Sequence, residues 1–360
     1  MAQVDAEYHY LLNLILNHGT KKIDRTGTGT ISVFGTKLRF DLRNNKLPLI
    51  TTKKMFTKGV VYELFWFLGY HMTLPEYKQY GLTNIKWLVD NNVNIWVGDA
   101  YKRYTTWLNN GSPGSLYPEE LTSEQFINKI KLDNDFAREW GELGPVYGQQ
   151  WINWTISENK HINQIQRLIY DLKNNPDSRR LIVTAWNPAD VDASVLPPCH
   201  YGFQCWTREL SLVEREKLYL KKFPKPHLMA EEMIHSQGHE YFNTYNIPTR
   251  ALSLQWHQRS VDTAIGLSFN IASYAILTHI LAHCTNMVAE ELIFDGGDTH
   301  IYNNHIEGVM VQLERDVNKY ESATIRIEPD ITKDIWKLSP GFVKICDYDS
   351  YPKIEFPLSN

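Results

Sequence analysis

In the stretch Leu196-Pro-Pro-Cys-His-Tyr-Gly-Phe-Gln204, two prolines stiffen the backbone ahead of a cysteine, a histidine follows, and an apolar run begins that predicts a strand. A thiol held at the mouth of a strand by rigid backbone is one way to present a nucleophile, because even partial ionisation gives a thiolate able to attack carbon. By itself Cys199 reads the other way, as a small buried hydrophobe. What surrounds it in the chain decides between the two.

Working outward, the strand Tyr201 to Arg208 has a companion, Ala251 to His257, and the charged segment Glu209 to Arg250 between them is too long for a hairpin turn. That segment reads as an insertion closing a hairpin on the surface. Upstream, a helix over His161 to Asn174 stops at Pro176, and Arg179-Arg180 then lead into a β-rich run, Leu181 to Trp186. Paired arginines there suit a phosphate, or are two solvated charges. Leu143-Gly-Pro-Val-Tyr147 makes a tight turn that projects Tyr147. Downstream, Gln258-Arg-Ser-Val-Asp262 and Gly266-Leu-Ser-Phe-Asn270 precede a helix over Ile271 to Met287. Strands are expected at Leu292 to Phe294 and Thr299 to Tyr302, a helix from Asn304 to Leu313, and a last strand over Thr324 to Ile327.

Toward the N-terminus, Glu7 to Asn17 predicts an amphipathic helix and Ile31 to Leu42 a strand. Between them Asp24-Arg-Thr-Gly-Thr-Gly-Thr30 is a glycine-rich loop able to hold an anion with its amides and Arg25, or a plain turn; it is not a Walker loop. Val60 to Tyr70 is an apolar helix carrying a lone acid, Glu63, which either snorkels outward or is buried with a raised pKa suited to proton transfer. Asn84 to Trp96 reads as another helical piece. Val97 to Glu142 reads as a polar, irregular surface excursion broken by Pro113, Gly114 and Pro118, with a short helix over Thr122 to Leu132.

The 360 residues, 43% hydrophobic and 22% charged, have the composition of a globular protein with a large core. A net charge of −4 argues against wholesale nucleic-acid binding while leaving room for local basic sites. Cys199, Cys205, Cys284 and Cys346 form no CxxC pair and no zinc spacing, so no metal is expected. With no signal peptide at Met1-Ala-Gln-Val-Asp-Ala-Glu7, a reducing cytoplasmic setting is expected. Thr263 to Ala289 lacks Asp, Glu, Lys and Arg, yet Ser268, Asn270, Ser273, Thr278, His279 and His283 punctuate it, so it reads as a helix buried on all sides and not as a membrane span.

Each motif is modest alone. Together and in this order, Asp24-Arg-Thr-Gly-Thr-Gly-Thr30, Pro48-Leu-Ile-Thr-Thr-Lys-Lys54, Glu63-Leu-Phe-Trp-Phe-Leu68, Leu143-Gly-Pro-Val-Tyr-Gly148, Pro176-Asp-Ser-Arg-Arg180, Ala185-Trp-Asn-Pro188, Pro197-Pro-Cys-His200, Gln258-Arg-Ser260, Phe269-Asn-Ile-Ala-Ser-Tyr274 and Gly297-Asp-Thr-His-Ile-Tyr302 resemble the thymidylate synthase family over almost the entire chain. The resemblance implies an α/β (α+β) fold whose large mixed β-sheet, flanked by helices, forms a flat homodimer interface. It implies one catalytic domain over 1–360, with insertions at about 97–142 and 209–250. Cys199 becomes the nucleophile. By match, Arg25 and Arg259 hold the phosphate of dUMP together with Arg179 and Arg180 reaching over from the partner subunit, and Ser260 adds a hydroxyl. Asn270 would read the uracil edge; family members acting on cytosine carry an acid there. His300 and Tyr302 would hold the sugar hydroxyl, and Gln204 and Asp262 would line the site. Trp96, Asp262, Ile265, Gly266 and Phe269 would bind the co-substrate, 5,10-methylenetetrahydrofolate.

The chemistry so implied begins with Cys199 adding to C6 of dUMP, after which C5 attacks the folate methylene. A water network organised by Glu63, Tyr147, His200 and Asn270 removes the C5 proton, and hydride from the departing folate gives dTMP and dihydrofolate. Four positions depart from the family pattern. Val97 stands where an Asp usually follows the tryptophan, Asp99 where a Trp or Asn faces the folate, Ser268 where a Pro precedes Phe-Asn, and Asn360 where the chain ends in an apolar residue. A leaking terminus would let water take the hydride's place, as in the dUMP or dCMP hydroxymethylases of some phages, so a dUMP hydroxymethylase is the alternative expectation. The insertions suggest a divergent, phage-type member.

Overall fold

The structure is a computed structural model that describes residues 3–24, 27–110, 119–226, 230–328 and 333–358. The strands are β1 (Thr20–Lys22), β2 (Thr30–Asp41), β3 (Lys46–Leu47), β4 (Trp154–Ser157), β5 (Lys160–Ile162), β6 (Ile182–Thr184), β7 (His200–Glu209), β8 (Arg250–Asp262), β9 (Val288–Tyr302), β10 (Ala323–Ile327) and β11 (Val343–Cys346). The helices are α1 (Gln3–His18), α2 (Thr57–Phe67), α3 (Lys86–Asp90), α4 (Val97–Asn109), α5 (Ser123–Leu132), α6 (Asn134–Trp140), α7 (Tyr147–Asn153), α8 (Gln164–Asn174), α9 (Leu212–Lys222), α10 (Ala230–Gln237), α11 (His239–Thr244), α12 (Gly266–Thr285) and α13 (Ile306–Leu313).

Among the described residues, six strands form the main sheet in the order β1-β2-β9-β8-β7-β6. It is mixed. The β8/β9 pair is parallel, from Ala251 opposite Val288 to Asp262 opposite His300, and its neighbours are antiparallel. A parallel pair cannot be joined by a tight turn, so the chain crosses over, and α12 is the crossover. That explains its composition. Lying on the sheet and enclosed by other elements, α12 is buried over almost its whole length, and an uncharged helix is the only kind that suits such a place. Its polar side chains bond locally: Thr278 Oγ1 donates to Tyr274 O (2.7 Å) and Thr285 Oγ1 to Leu281 O (2.8 Å). It is long and apolar enough to cross a membrane, but 83% of its most apolar stretch is buried inside the protein.

The register assigns the two faces of the sheet. Phe203, Cys205, Leu254, Trp256, Leu292 and Phe294 point into the core. The alternate residues point the other way, where Ile182 and Trp206 are 54% and 59% exposed. The hairpin expected across Glu209 to Arg250 is present, with Glu209 opposite Arg250. The segment it encloses folds into α9, α10 and α11 around a small core of its own, with Tyr219, Ile234, Tyr241, Phe242 and Ile247 buried.

Three expectations need correction. The described residues from Val97 to Glu142 are mostly helical, the short helix expected over Thr122 to Leu132 being α5, and Ala100, Tyr104, Phe126, Phe136 and Trp140 join the main core; Pro113, Gly114 and Pro118 lie outside the described residues. Val97, Ala100 and Tyr104 fall on one stripe of α4, which the polar residues between them disguise. The helix expected over Asn84 to Trp96 is only α3, because Asn92 takes a left-handed φ of 58° and ends it. The two strands expected at Leu292 to Phe294 and Thr299 to Tyr302 are one, β9. Gly296-Gly297 looks like a break in sequence. In space it is a close approach: a Cβ on Gly297 would lie 2.8 Å from Arg259 O.

Candidate active site

Cys199 is a half-buried thiol at the end of an irregular segment running into β7. The two prolines before it contribute carbonyls but no N–H, and Arg259 takes up both: Nε donates to Pro198 O and Nη2 to Pro197 O, each at 2.9 Å. The Arg259 backbone N–H donates to Cys199 O at 2.8 Å, and its guanidinium lies 5.4 Å over the Trp186 ring. A β8 arginine thus clamps the turn that presents the thiol, with its exposed positive charge beside it.

On the other side stands Tyr147. Gly144, with a φ of 76°, makes the turn that starts α7 and aims the phenol at the nucleophile. The Cys199 N–H donates to Tyr147 Oη (2.9 Å), and the Tyr147 ring stacks on His200 at 4.0 Å and 15°. His200 Nδ1 lies 2.8 Å from Tyr274 Oη. Burial pushes His200 down to about 3, so its ring is neutral, and pushes both tyrosines well above the usual phenol range, so both keep their protons.

Glu63 is of intermediate exposure on α2 and joins this group through aromatic rings. Trp96 Nε1 donates to Glu63 Oε1 at 2.8 Å, and the Trp96 and Tyr147 rings are 5.9 Å apart, with Phe67 touching both. Loss of water around the carboxyl pushes Glu63 up to about 7, against the smaller opposing pull of the Trp96 bond. Glu63 therefore does not snorkel. It is a carboxyl poised to exchange a proton near neutral pH.

The remaining residues come from the ends of β8 and β9 and the first turns of α12. Asn270 Nδ2 donates to Gln258 Oε1 (3.1 Å), which also accepts from Trp256 Nε1 (3.4 Å), so Gln258 sets which end of the Asn270 amide faces the site. Ser260 and Asp262 lie opposite Asp298 and His300 in the ladder, and the Tyr302 ring stands edge-on to His300 at 5.1 Å. Asp262 Oδ1 accepts the Ile265 N–H (3.2 Å) where α12 begins, beside Gly266 and the half-buried Phe269. The glycine loop docks at the same end: Asn303 Nδ2 donates to Thr28 O (3.0 Å), and a Cβ on Gly29 would lie 2.5 Å from that Asn303 nitrogen. Arg25 and Asn360 fall outside the described residues. Asp99 lines a groove shared with Ser194 and Leu196, next to the nucleophile's turn.

Two expected residues lie apart from Cys199, and a third sides with them. Arg179 and Arg180 are exposed on the turn before β6, neither in an ion pair among the described residues. Gln204 points from the open face of the sheet and donates to Arg179 O (3.3 Å). Gln258 and Lys53 are additions. Gln258 sits in a quoted motif, but a buried amide with an orienting role has no mark in sequence. Lys53 is buried under the C-terminal segment, donates to Ala264 O, and is pushed down to about 8 by burial against the pull of Asp262. Its signal in sequence is its place in the family stretch Pro48-Leu-Ile-Thr-Thr-Lys-Lys54. Among the described residues, no group of three His, Cys, Asp or Glu side chains is disposed to hold a metal.

Residues 6–360 match the profile of the family described as thymidylate synthase. The chain is 39% identical over 344 residues to a protein named thymidylate synthase from Phytoplasma mali, covering 96% of each chain. It is 38% identical over 349 residues to the one from Malacoplasma penetrans, covering 97% of this chain and 98% of the relative. For the Mesoplasma florum protein of the same name the figures are 37%, 348 residues and 97% of each.

The chain belongs to the thymidylate synthase family.

The mixed sheet and its crossover helix fit the thymidylate synthase fold.

Proposed function

We propose that this chain is a thymidylate synthase that methylates dUMP at C5 with 5,10-methylenetetrahydrofolate, giving dTMP and dihydrofolate. The observation that carries the reading is the grouping of Cys199, Tyr147 and His200 under the Arg259 clamp, with the Glu63 carboxyl poised near neutrality behind it.

In this reading the Cys199 thiolate adds to C6 of the uracil ring, and the Cys199–C6 bond makes C5 an enolate carbon. The Arg259 charge favours the thiolate and the substrate phosphate alike. Asn270, oriented by Gln258, reads the uracil edge. Ser260, His300 and Tyr302 hold phosphate and sugar. Glu63, with Tyr147 and neutral His200, organises the water that takes the C5 proton. Folate, when bound, supplies the methylene carbon and then hydride, and the Cys199–C6 bond breaks as the C5–C6 double bond re-forms, releasing dTMP and the free thiolate. The Trp96 indole, half-buried Phe269, Gly266 and the Asp262 carboxylate at the start of α12 fit a flat heterocycle bearing N–H groups.

The enzyme acts as a homodimer in which Arg179 and Arg180 reach the phosphate site of the partner. Their exposure, and the apolar residues Ile182 and Trp206 on the neighbouring open face, support this. None of the four cysteines is in a disulfide, which supports a cytoplasmic setting.

Incubation with dUMP and methylenetetrahydrofolate is expected to give dTMP by mass, with equimolar dihydrofolate. Hydroxymethyl-dUMP without dihydrofolate would overturn the methylation step. Cys199→Ala is expected to lose at least about 10⁴ in turnover while still binding dUMP; retained turnover would remove Cys199 as nucleophile.

A further inference from the structure

His305, at the start of α13, is completely buried, and its two ring nitrogens face two different parts of the site. Nε2 lies 2.7 Å from Pro357 O. A carbonyl only accepts, so Nε2 carries the hydrogen. In the neutral ring Nδ1 is then an acceptor. It is buried with no hydrogen-bond partner among the described residues and lies 3.7 Å from Asp262 Oδ1. The ring stands edge-on to Tyr302 at 5.4 Å on one side and to Phe356 at 5.3 Å on the other. One side chain therefore links the C-terminal strap, the sugar-side tyrosine and the carboxylate assigned to the co-substrate.

The strap has a shaped seat. Tyr351 N–H donates to Thr51 O (2.8 Å), Arg315 Nη1 to both Thr52 O (2.6 Å) and Pro352 O (2.8 Å), and Phe356 lies with Lys53 Nζ 5.2 Å over its ring. A Cβ on Gly308 would come within 2.6 Å of the Phe356 ring, so α13 is cut away to admit it. Beyond Pro352, where Arg315 stops, His305 ties the strap to the body at Pro357. A buried nitrogen left unpartnered beside a carboxylate is uncommon in a core and is retained where geometry matters more than local satisfaction.

We infer that His305 is a positioning residue that fastens residues 353–357 over the Asp262 end of the site, and so sets affinity for the folate co-substrate independently of dUMP. The inference rests on the proposed reading of that site.

Three variants separate the two nitrogens. His305→Gln places an amide N–H where Nε2 was, His305→Asn places one near Nδ1, and His305→Phe keeps the ring alone. Hydrogen exchange on the unliganded protein reads the strap without any turnover. Exchange across 350–357 is expected to quicken by about tenfold or more in His305→Asn and His305→Phe, and to stay within about threefold of the parent in His305→Gln. KM for methylenetetrahydrofolate should rise about tenfold in His305→Asn and His305→Phe and stay near the parental value in His305→Gln, with the Kd of dUMP unchanged in all. Parental exchange rates in folded His305→Phe, or an equal loss of dUMP affinity, would overturn the assignment. If the parent protein makes no dTMP, the proposed function fails, and the exchange result still decides the strap.

Discussion

Glu63 shows how a single residue serves chemistry at the expense of stability. Its carboxyl titrates at about 7 in the folded chain against 4.5 as its ordinary value. Because the folded pKa is the higher, the folded state holds the proton more tightly, and that contribution is complete below about pH 4.5 and lost as pH rises through 7. The difference is worth on the order of 3 kcal/mol once pH exceeds both values. Glu63→Gln should therefore unfold in urea much like the parent at pH 4.5, yet be more stable by up to about 3 kcal/mol at pH 8, while losing turnover. Equal midpoints at pH 8 would show that the carboxyl is not held in apolar surroundings. The turnover profile of the parent should bend near pH 7 through Glu63. His200, held neutral down to about pH 3, contributes no bend between pH 5 and 8. At this scale the sequence left Glu63 open between snorkelling and burial, since one acid among apolar neighbours is compatible with both. The Trp96 indole, 33 residues away in sequence, makes the difference.

At the scale of elements, the segment between β7 and β8 is organised by a buried cation held by neutral acceptors. Arg215 spends its guanidinium on Pro248 O (3.1 Å), His239 O (3.0 Å), Asn243 Oδ1 (2.7 Å) and Ile247 O (3.0 Å), and lies 5.5 Å over the Phe242 ring. Removing it orphans several buried acceptors at once, a loss of roughly 3 kcal/mol confined to α9 and α11. Arg215→Met should accordingly be cut by trypsin within 210–249 far faster than the parent, with dTMP formation little changed. Resistance to cleavage, or a tenfold loss of turnover, would show that this small core is continuous with the catalytic one. The hairpin around it was legible because two alternating strands flank a charged stretch. Inside Val97 to Glu142, α5 was legible and α4 was not, because three core residues on α4 are diluted by polar ones that face outward.

The whole molecule poses a question of composition. Cys199, Tyr147, His200 and Arg259 meet within one chain, while Arg179 and Arg180 project from the far edge of the sheet. If each site takes its cysteine from one protomer and these arginines from the other, mixing Cys199→Ala with Arg180→Ala places one intact site in each heterodimer. An equimolar mixture that has exchanged subunits should recover about a quarter of parental turnover from two inactive proteins. No recovery, with heterodimers shown to form, would place Arg180 with its own chain's site.

The sequence by itself determined the chemical parts: a cysteine behind two prolines, arginines in turns and at strand ends, and an uncharged helix that had to be buried on all sides. Such features depend on residue type and local spacing, which the chain states outright. Tertiary structure alone decided what those parts became. It joined two apparent strands across Gly296-Gly297 because Arg259 O passes too close for any side chain. It made Gln258 the guide of Asn270, and His305 the link between the strap and Asp262. Burial and partnership are properties of what folds against a residue, and its sequence neighbours do not specify them.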